Sequence, residues 1–580
     1  MHRLVITLLL SAFMGTANTS VGSAEWRQKT TFTNPILRGS YPDPSICRVG
    51  YDYYVVNSSF EYFPGLPIHH SRDLVNWDLI GYGLHRAEQV SSEVNLVDVQ
   101  SDGGIHAPSI RCRDDRFYII TTNVYSPSEP GLPTKMVNFV ITADNPAGPW
   151  SEPHVIEGAP GIDPDLFFDD DGSVWYVGNH APADPAFQGE GEIWIQKLDT
   201  SEWRLVGERH FLWRGALKGA IWAEGPHIYK KDGRYYLLIA EGGTSFDHAV
   251  TVASSNSITG PYVGNSRNPI LTSRHLSYDN WVNSTGHADI VELADGRWYA
   301  VALGIRNDIE RGSNMGRESH LIPVIWEQEP YHWKSEKLTW PVFAPLSGRV
   351  ERDNPMPFAA TYQRQQEIFV DEFAEDPLKL DWNFRRVPKK DLYSLTERQG
   401  FLRVYTDPAV PENRGRASLM GIRQTETNFE FSADMEFDSD LLGAEAGITL
   451  FQKDDRYLAF TVQSQSQGYD LTGHIHSAGS IQSDVIERIP LKEYQGRIRL
   501  RIDSRDGLYE LGYSLDGGLS WKSFTTIPGN RFISKGYTGA YLGVFATSRG
   551  RDIRAFADFD SVSYEPKPKC HECENLDEAK

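Results

Sequence analysis

The sequence is short of three things, and each shortage excludes something. It has four cysteines in 580 residues, too few for a disulfide framework. It is short of positive charge: 57 Lys and Arg stand against 78 Asp and Glu, a formal charge of −21. A chain that acidic offers no basic face to phosphates, so nucleic acid is not the expected partner. It also lacks any apolar run of the roughly 18 residues that a membrane-spanning helix needs. One shorter apolar stretch, Leu4 to Gly15, follows His2 and Arg3 and precedes the small residues Gly22 and Ala24. That pattern reads as a signal peptide over residues 1–24 and predicts a secreted or periplasmic protein.

Apolar residues make up 40% and aromatics 12%, enough for packed cores rather than disorder. The length predicts two to four domains, at the low end if they are all-β. An acidic, aromatic-rich chain suits a neutral ligand. Cys570-His-Glu-Cys573 is half of a zinc site with no second half nearby, and reads as part of a polar tail over 567–580. Cys47 and Cys112 read as strand residues. Whether either pair is oxidised is left open, as is the oligomeric state.

Five segments between residues 30 and 350 share one grammar: a polar residue, a Pro or small residue, an apolar pair, a turn, then an aromatic-rich strand. They begin at Asp43-Pro-Ser-Ile, His106-Ala-Pro-Ser-Ile, Asp163-Pro-Asp-Leu, Glu224-Gly-Pro-His-Ile and His287-Ala-Asp-Ile. The last three carry Asp-Gly between apolar runs (Asp171-Gly172, Asp232-Gly233, Asp295-Gly296), a strong hairpin signal. A period of about 60 residues suits four strands plus generous loops. The fold class predicted is all-β: a five-bladed β-propeller over 30–350, then an antiparallel β-sandwich of jelly-roll type over 365–566. The sandwich is read from alternating strands such as Phe429–Phe437, Arg497–Ile502 and Tyr537–Phe545. The first strand of each propeller blade lines the central channel. The opening residues Asp43, His106, Asp163, Glu224 and His287, far apart in sequence, are therefore expected around one axis.

Three carboxylates on one channel suit glycosidic hydrolysis, which needs a proton donor for the leaving oxygen and a second carboxylate for water or direct attack. Crowding should split their pKa values, leaving one a donor and one ionised. Asp169, Asp170 and Asp171 are nearby decoys, expected to be solvated in a hairpin turn. Ser514-Leu-Asp-Gly-Gly-Leu-Ser-Trp521 fits an Asp box but occurs once, outside the repeat, and reads as a hairpin turn.

Several ordered motifs together resemble glycoside hydrolase family 43, in its β-xylosidase and α-L-arabinofuranosidase branch. They are Asn34-Pro-Ile-Leu with Tyr41-Pro-Asp-Pro-Ser-Ile46, Ser58-Ser-Phe-Glu-Tyr-Phe-Pro-Gly, Gly161-Ile-Asp-Pro-Asp-Leu166, Ala223-Glu-Gly-Pro-His227, Thr285-Gly-His-Ala-Asp289 and Gly316-Arg-Glu318. The likeness spans about Asn34 to Pro345, and the C-terminal part resembles the sandwich usually appended to that branch.

The resemblance implies an inverting, exo-acting enzyme that releases xylose or arabinose from plant-derived oligosaccharides. Asp43 would be the general base, Glu224 the general acid, and Asp163 the residue that tunes and orients the acid. Arg317 would fork onto sugar hydroxyls, and the bland alternative pairs it with Glu318. His287 would sit at the channel centre and help hold substrate or, as in some relatives, a water-ligated metal. Phe60 would pack on the sugar, and the bland alternative makes it a core aromatic. His106 stands where some β-xylosidase relatives carry Trp, and Ile162 where they carry Phe. That departure leaves room for arabinofuranose in the pocket. No cofactor is required; Asp371, Asp558 and Asp560 could ligate a structural Ca²⁺, as in similar sandwiches. In relatives a sandwich loop helps close the pocket, but the sequence does not single it out.

Two other readings compete. A retaining fructan hydrolase shares this architecture, although its Asn-Asp-Pro-Asn-Gly motif is replaced here by Tyr41-Pro-Asp-Pro-Ser. A non-catalytic carbohydrate-binding protein would need a missing acid, and all three carboxylates are present.

Overall fold

The computed structural model describes residues 31–307, 312–330, 337–359, 361–480, 482–529 and 537–567. The proposed signal segment, and the tail with Cys570 and Cys573, lie outside these residues. Apart from one 3-10 turn, Ala87–Val90, the regular elements described are strands.

Five antiparallel sheets follow one another along the first 343 residues. The first is built from Ser45–Val49, Asp52–Val56, Gly65–Ser71 and Asp78–Leu84. Gly104–Arg113 opens the second, Asp165–Phe168 the third, Glu224–Lys231 the fourth and Val282–Glu292 the fifth. Each opening strand touches the next, and the fifth returns to the first, so the five sheets close into a propeller. The Asp-Gly turns lie where the sequence predicts hairpins. Gly172, Gly233 and Gly296 take φ of 83°, 75° and 83°, the left-handed region that glycine enters without steric cost. A clasp seals the ring. Thr31–Thr33 pairs with Asp353–Pro355, and the Asn34 side chain donates to the carbonyls of Leu321 and Glu351.

Cys47 and Cys112 form a disulfide with Cα atoms 6.4 Å apart, tying the opening strand of the first blade to that of the second. Asp169 departs from expectation. It is buried, accepts from Lys230 at 2.7 Å and from the Tyr235 hydroxyl at 2.7 Å, and so joins blades three and four. Its turn neighbours Asp170 and Asp171 are exposed.

The second body is a sandwich of two eight-stranded sheets. Phe429, Phe431, Met435, Leu450, Phe460, Leu500 and Leu542 fill the space between them. The Asp-box sequence forms the turn between Leu508–Ser514 and Lys522–Pro528, as read from sequence. One sheet recruits a strand from the propeller: Tyr62–Phe63 pairs with Phe384 and Arg385 at its edge. One apolar core runs through the joint, from Leu66, Ile68, Val90, Phe139 and Trp150 to Phe373, Trp382 and Phe460.

The three sandwich carboxylates do not fit a calcium ion. Asp371 accepts from the Phe373 amide and the Trp382 indole, Asp558 is clamped by Arg403 and Arg398, and Asp560 pairs with Arg497. Each is already committed to a protein donor, and no group of three or more acidic, His or Cys ligands gathers among the described residues.

Candidate active site

The entry to each opening strand is kinked in the same way. Asp43, Ala107, Asp163, Gly225 and His287 have φ of 50°, 37°, 53°, 56° and 47°. Each of the first four precedes a proline. Four of the five are not glycine, and such backbone costs on the order of 1–3 kcal/mol per residue. The repeat therefore aligns on this kink, not on the polar residue. Asp43, Asp163 and His287 occupy it directly, whereas His106 and Glu224 stand one residue ahead. The kinks turn these side chains out of the ladder and into the mouth of the channel.

Asp43 is buried, and each of its carboxylate oxygens accepts one hydrogen bond. Oδ1 accepts from Arg317 Nη1 at 2.7 Å and Oδ2 from the Ser58 hydroxyl at 2.6 Å, while His287 Nδ1 lies 4.0 Å from Oδ1. Burial alone would raise its pKa. Arg317, His287 and the Ser58 hydrogen bond overcome that and hold it below the ordinary carboxylate value. Glu224 experiences the reverse. Burial, and then the charge of Asp43, push it up to about 8, against a weaker opposing pull from Arg317. Asp163 is also raised, by burial and by the charges of Glu224 and Asp43. At neutral pH the site thus holds one ionised carboxylate and one proton-bearing Glu.

Arg317 is buried and committed. Besides Asp43 it donates through Nε to the Tyr537 carbonyl at 3.1 Å, while Nη2 is buried without a partner among the described residues. The ion pair with Glu318 does not form: Glu318 pairs with Arg306 at 2.6 Å. Phe60 is buried, with its ring centroid 5.2 Å from the guanidinium carbon of Arg317 and 5.0 Å from the His106 ring. The His287 imidazole is held down to about 4 by burial, so it is neutral at working pH.

Three participants escaped the sequence reading. Ser58 lies in a quoted motif without an assigned role, yet it also accepts from the Ala107 amide at 2.6 Å and so couples two blades to Asp43. Tyr537 comes from the sandwich. The Arg317 guanidinium stacks over its ring at 4.2 Å, and the ring lies 5.2 Å from Phe60. The approach depends on two glycines. A Cβ on Gly316 would sit 2.4 Å from the Gly539 nitrogen, and one on Gly539 would sit 2.5 Å from the Met315 carbonyl oxygen. Arg111 is the third. It fills the channel two residues below the kinks and binds Asp289 at 2.8 Å and Asp165 at 2.5 Å.

Residues 32–331 match the profile of glycosyl hydrolases family 43, and residues 370–565 that of the beta xylosidase C-terminal Concanavalin A-like domain. The chain belongs to glycosyl hydrolase family 43. This family 43 protein is 38% identical over 545 residues to a xylosidase/arabinosidase of Butyrivibrio fibrisolvens, covering 92% of this chain and 99% of the relative. It is 32% identical over 532 residues to a non-reducing end alpha-L-arabinofuranosidase of Bacteroides ovatus, covering 91% of this chain and 94% of the other. A xylan beta-1,4-xylosidase from Bacillus halodurans C-125 superposes with a TM-score of 0.82 at 30% identity, over 92% of this chain and 99% of that one. The protein is a glycoside hydrolase. Family membership also separates the two propeller–sandwich readings, against the fructan hydrolase.

Proposed function

We propose that this enzyme releases single xylose or arabinose units from non-reducing ends of plant-derived oligosaccharides, with inversion. Asp43, ionised and fixed by Arg317 and Ser58, takes a proton from the attacking water. Glu224, still protonated, gives its proton to the leaving oxygen. Asp163, whose own carboxyl is raised by burial and by the charges of Glu224 and Asp43, tunes and orients that acid. The neutral His287 and the unpaired Nη2 donor of Arg317 bind sugar hydroxyls, and Phe60 with Tyr537 forms the apolar wall. The observation that carries this reading is the opposite displacement of the Asp43 and Glu224 carboxyls within one site.

Arabinofuranose stands beside xylopyranose because His106, not a bulkier indole, flanks Phe60, and because two of the named relatives act on arabinosides by name. The test is turnover of aryl β-xyloside against aryl α-arabinofuranoside, with the product anomer read by NMR. Retention of configuration, or no turnover of either, defeats the proposal. Glu224→Ala should lose most activity on disaccharides and much less on aryl glycosides with good leaving groups. Export is supported by the leader pattern of residues 1–24 and by the Cys47–Cys112 disulfide, which persists best in an oxidising compartment.

A further inference from the structure

An exposed indole stands beside Glu224. Trp222 lies two residues earlier and keeps 51% of its surface open, yet it is not loose. Its own φ is 52°, its amide donates to the Gly189 carbonyl at 2.7 Å, and the preceding Ile221 carbonyl accepts from Gly242 at 2.8 Å. The six-membered ring rests against Gly243: a Cβ there would come within 2.4 Å of Cε3. A Cβ on Gly189 would lie 3.4 Å from the indole Nε1. Both glycines are left-handed, with φ of 67° and 85°. A strained backbone and two glycines thus hold a large aromatic surface half in water, an arrangement that packing alone does not require.

Its location says what the surface is for. Thr244, next to Gly243, has its hydroxyl 3.5 Å from Arg317 Nη1, the nitrogen that holds Asp43. Trp222 therefore borders the mouth of the catalytic ring on the side of Glu224. If Glu224 protonates the leaving oxygen, the departing group passes over this indole.

We infer that Trp222 is the platform for the leaving-group sugar, stacking on the C–H face of the ring next to the one released. The inference rests on the proposed role of Glu224, and it makes the enzyme selective for sugar leaving groups over small alcohols. Two measurements test it. In Trp222→Ala, kcat/KM for xylobiose relative to methyl β-xyloside should fall about tenfold, through KM, and Trp222→Phe should restore most of it. Arabinobiose and methyl α-arabinofuranoside serve if arabinose is the sugar released. An equal effect on both substrates, or none, overturns the platform.

Calorimetry separates this failure from failure of the proposed function. In a Glu224→Gln background, disaccharide should bind about tenfold tighter than monosaccharide, and adding Trp222→Ala should erase that advantage. An advantage that survives overturns the inference whatever the turnover data show. Absence of turnover in the wild type, with the advantage lost on adding Trp222→Ala, would strike the proposed reaction and spare the platform.

Discussion

Two layers of the same channel, two residues apart on the same strands, are built on opposite principles. The upper layer holds Asp43, Asp163 and Glu224, three acids with one arginine between them. The lower layer holds Ser45, Ser109, Asp165, His227 and Asp289 around Arg111. There the balance is nearly complete. Ser45 donates to Asp289 at 2.6 Å, His227 Nδ1 lies 2.9 Å from Asp165, and the Tyr229 hydroxyl donates to Asp289 at 2.5 Å. Arg111 and His227 outweigh burial and hold Asp289 far below the ordinary carboxylate range. The lower layer satisfies its charges and plugs the hub. The upper layer leaves its acids in conflict, and burial together with the charge of Asp43 raises the Glu224 carboxyl. On the proposed mechanism, the same fivefold scaffold serves stability at one level and chemistry at the next.

The contrast can be broken from either side. Asp43→Ala should cut kcat/KM by at least about 1000-fold while far-UV and near-UV circular dichroism remain native. A loss of tenfold or less would remove Asp43 as base. Arg111→Met should do the reverse. It leaves Asp165 and Asp289 buried without their cation, and urea unfolding should show a loss of about 3–5 kcal/mol. A neutral result would mean that the lower layer is not held by charge balance.

A subtler test uses pH. In the unfolded chain Glu224 ionises near 4.5, and in the folded site near 8. Folding therefore retains a proton between those values, and the stability this gives at low pH is lost as pH rises through about 8. Glu224→Gln should match wild type in thermal midpoint at pH 4 and exceed it by a few degrees at pH 9. Over the same range wild-type kcat/KM should fall as the acid loses its proton. A flat profile through pH 9 would contradict the raised pKa. The smallest expected effect is at the wall. Tyr537→Ala should lower kcat/KM about tenfold with the thermal midpoint of the propeller little changed, and an unaltered kcat/KM would exclude the sandwich from the pocket.

The propeller was legible because each blade repeats a turn signal and an aromatic strand, and backbone hydrogen bonding leaves few other ways to pack such units. The register of the ring was less so. Aligning on polar residues set His106 and Glu224 level with Asp43, whereas the residue before each proline is the true equivalent. Polar side chains vary from blade to blade, but the kink does not. Arg111 was hidden because an arginine in a strand reads as an exposed position; only ring closure reveals that it faces two aspartates. Asp169 was misjudged because its partner Lys230 is contributed by the next blade. Tyr537 had no local signal, since its contact with Arg317 spans 220 residues of sequence.

The shared strand Tyr62–Phe63 and the glycine contact between residues 316 and 539 bear on how such enzymes can be divided. The pocket is held in common by both domains. A chain cut after residue 350 would surrender the carbonyl that orients Arg317 and bare a sheet edge next to Phe60. A foreign sandwich grafted on would have to match the propeller at those two glycines before it could contribute a new wall. A donor sandwich could therefore dock only if it presents a residue without a side chain at the seam.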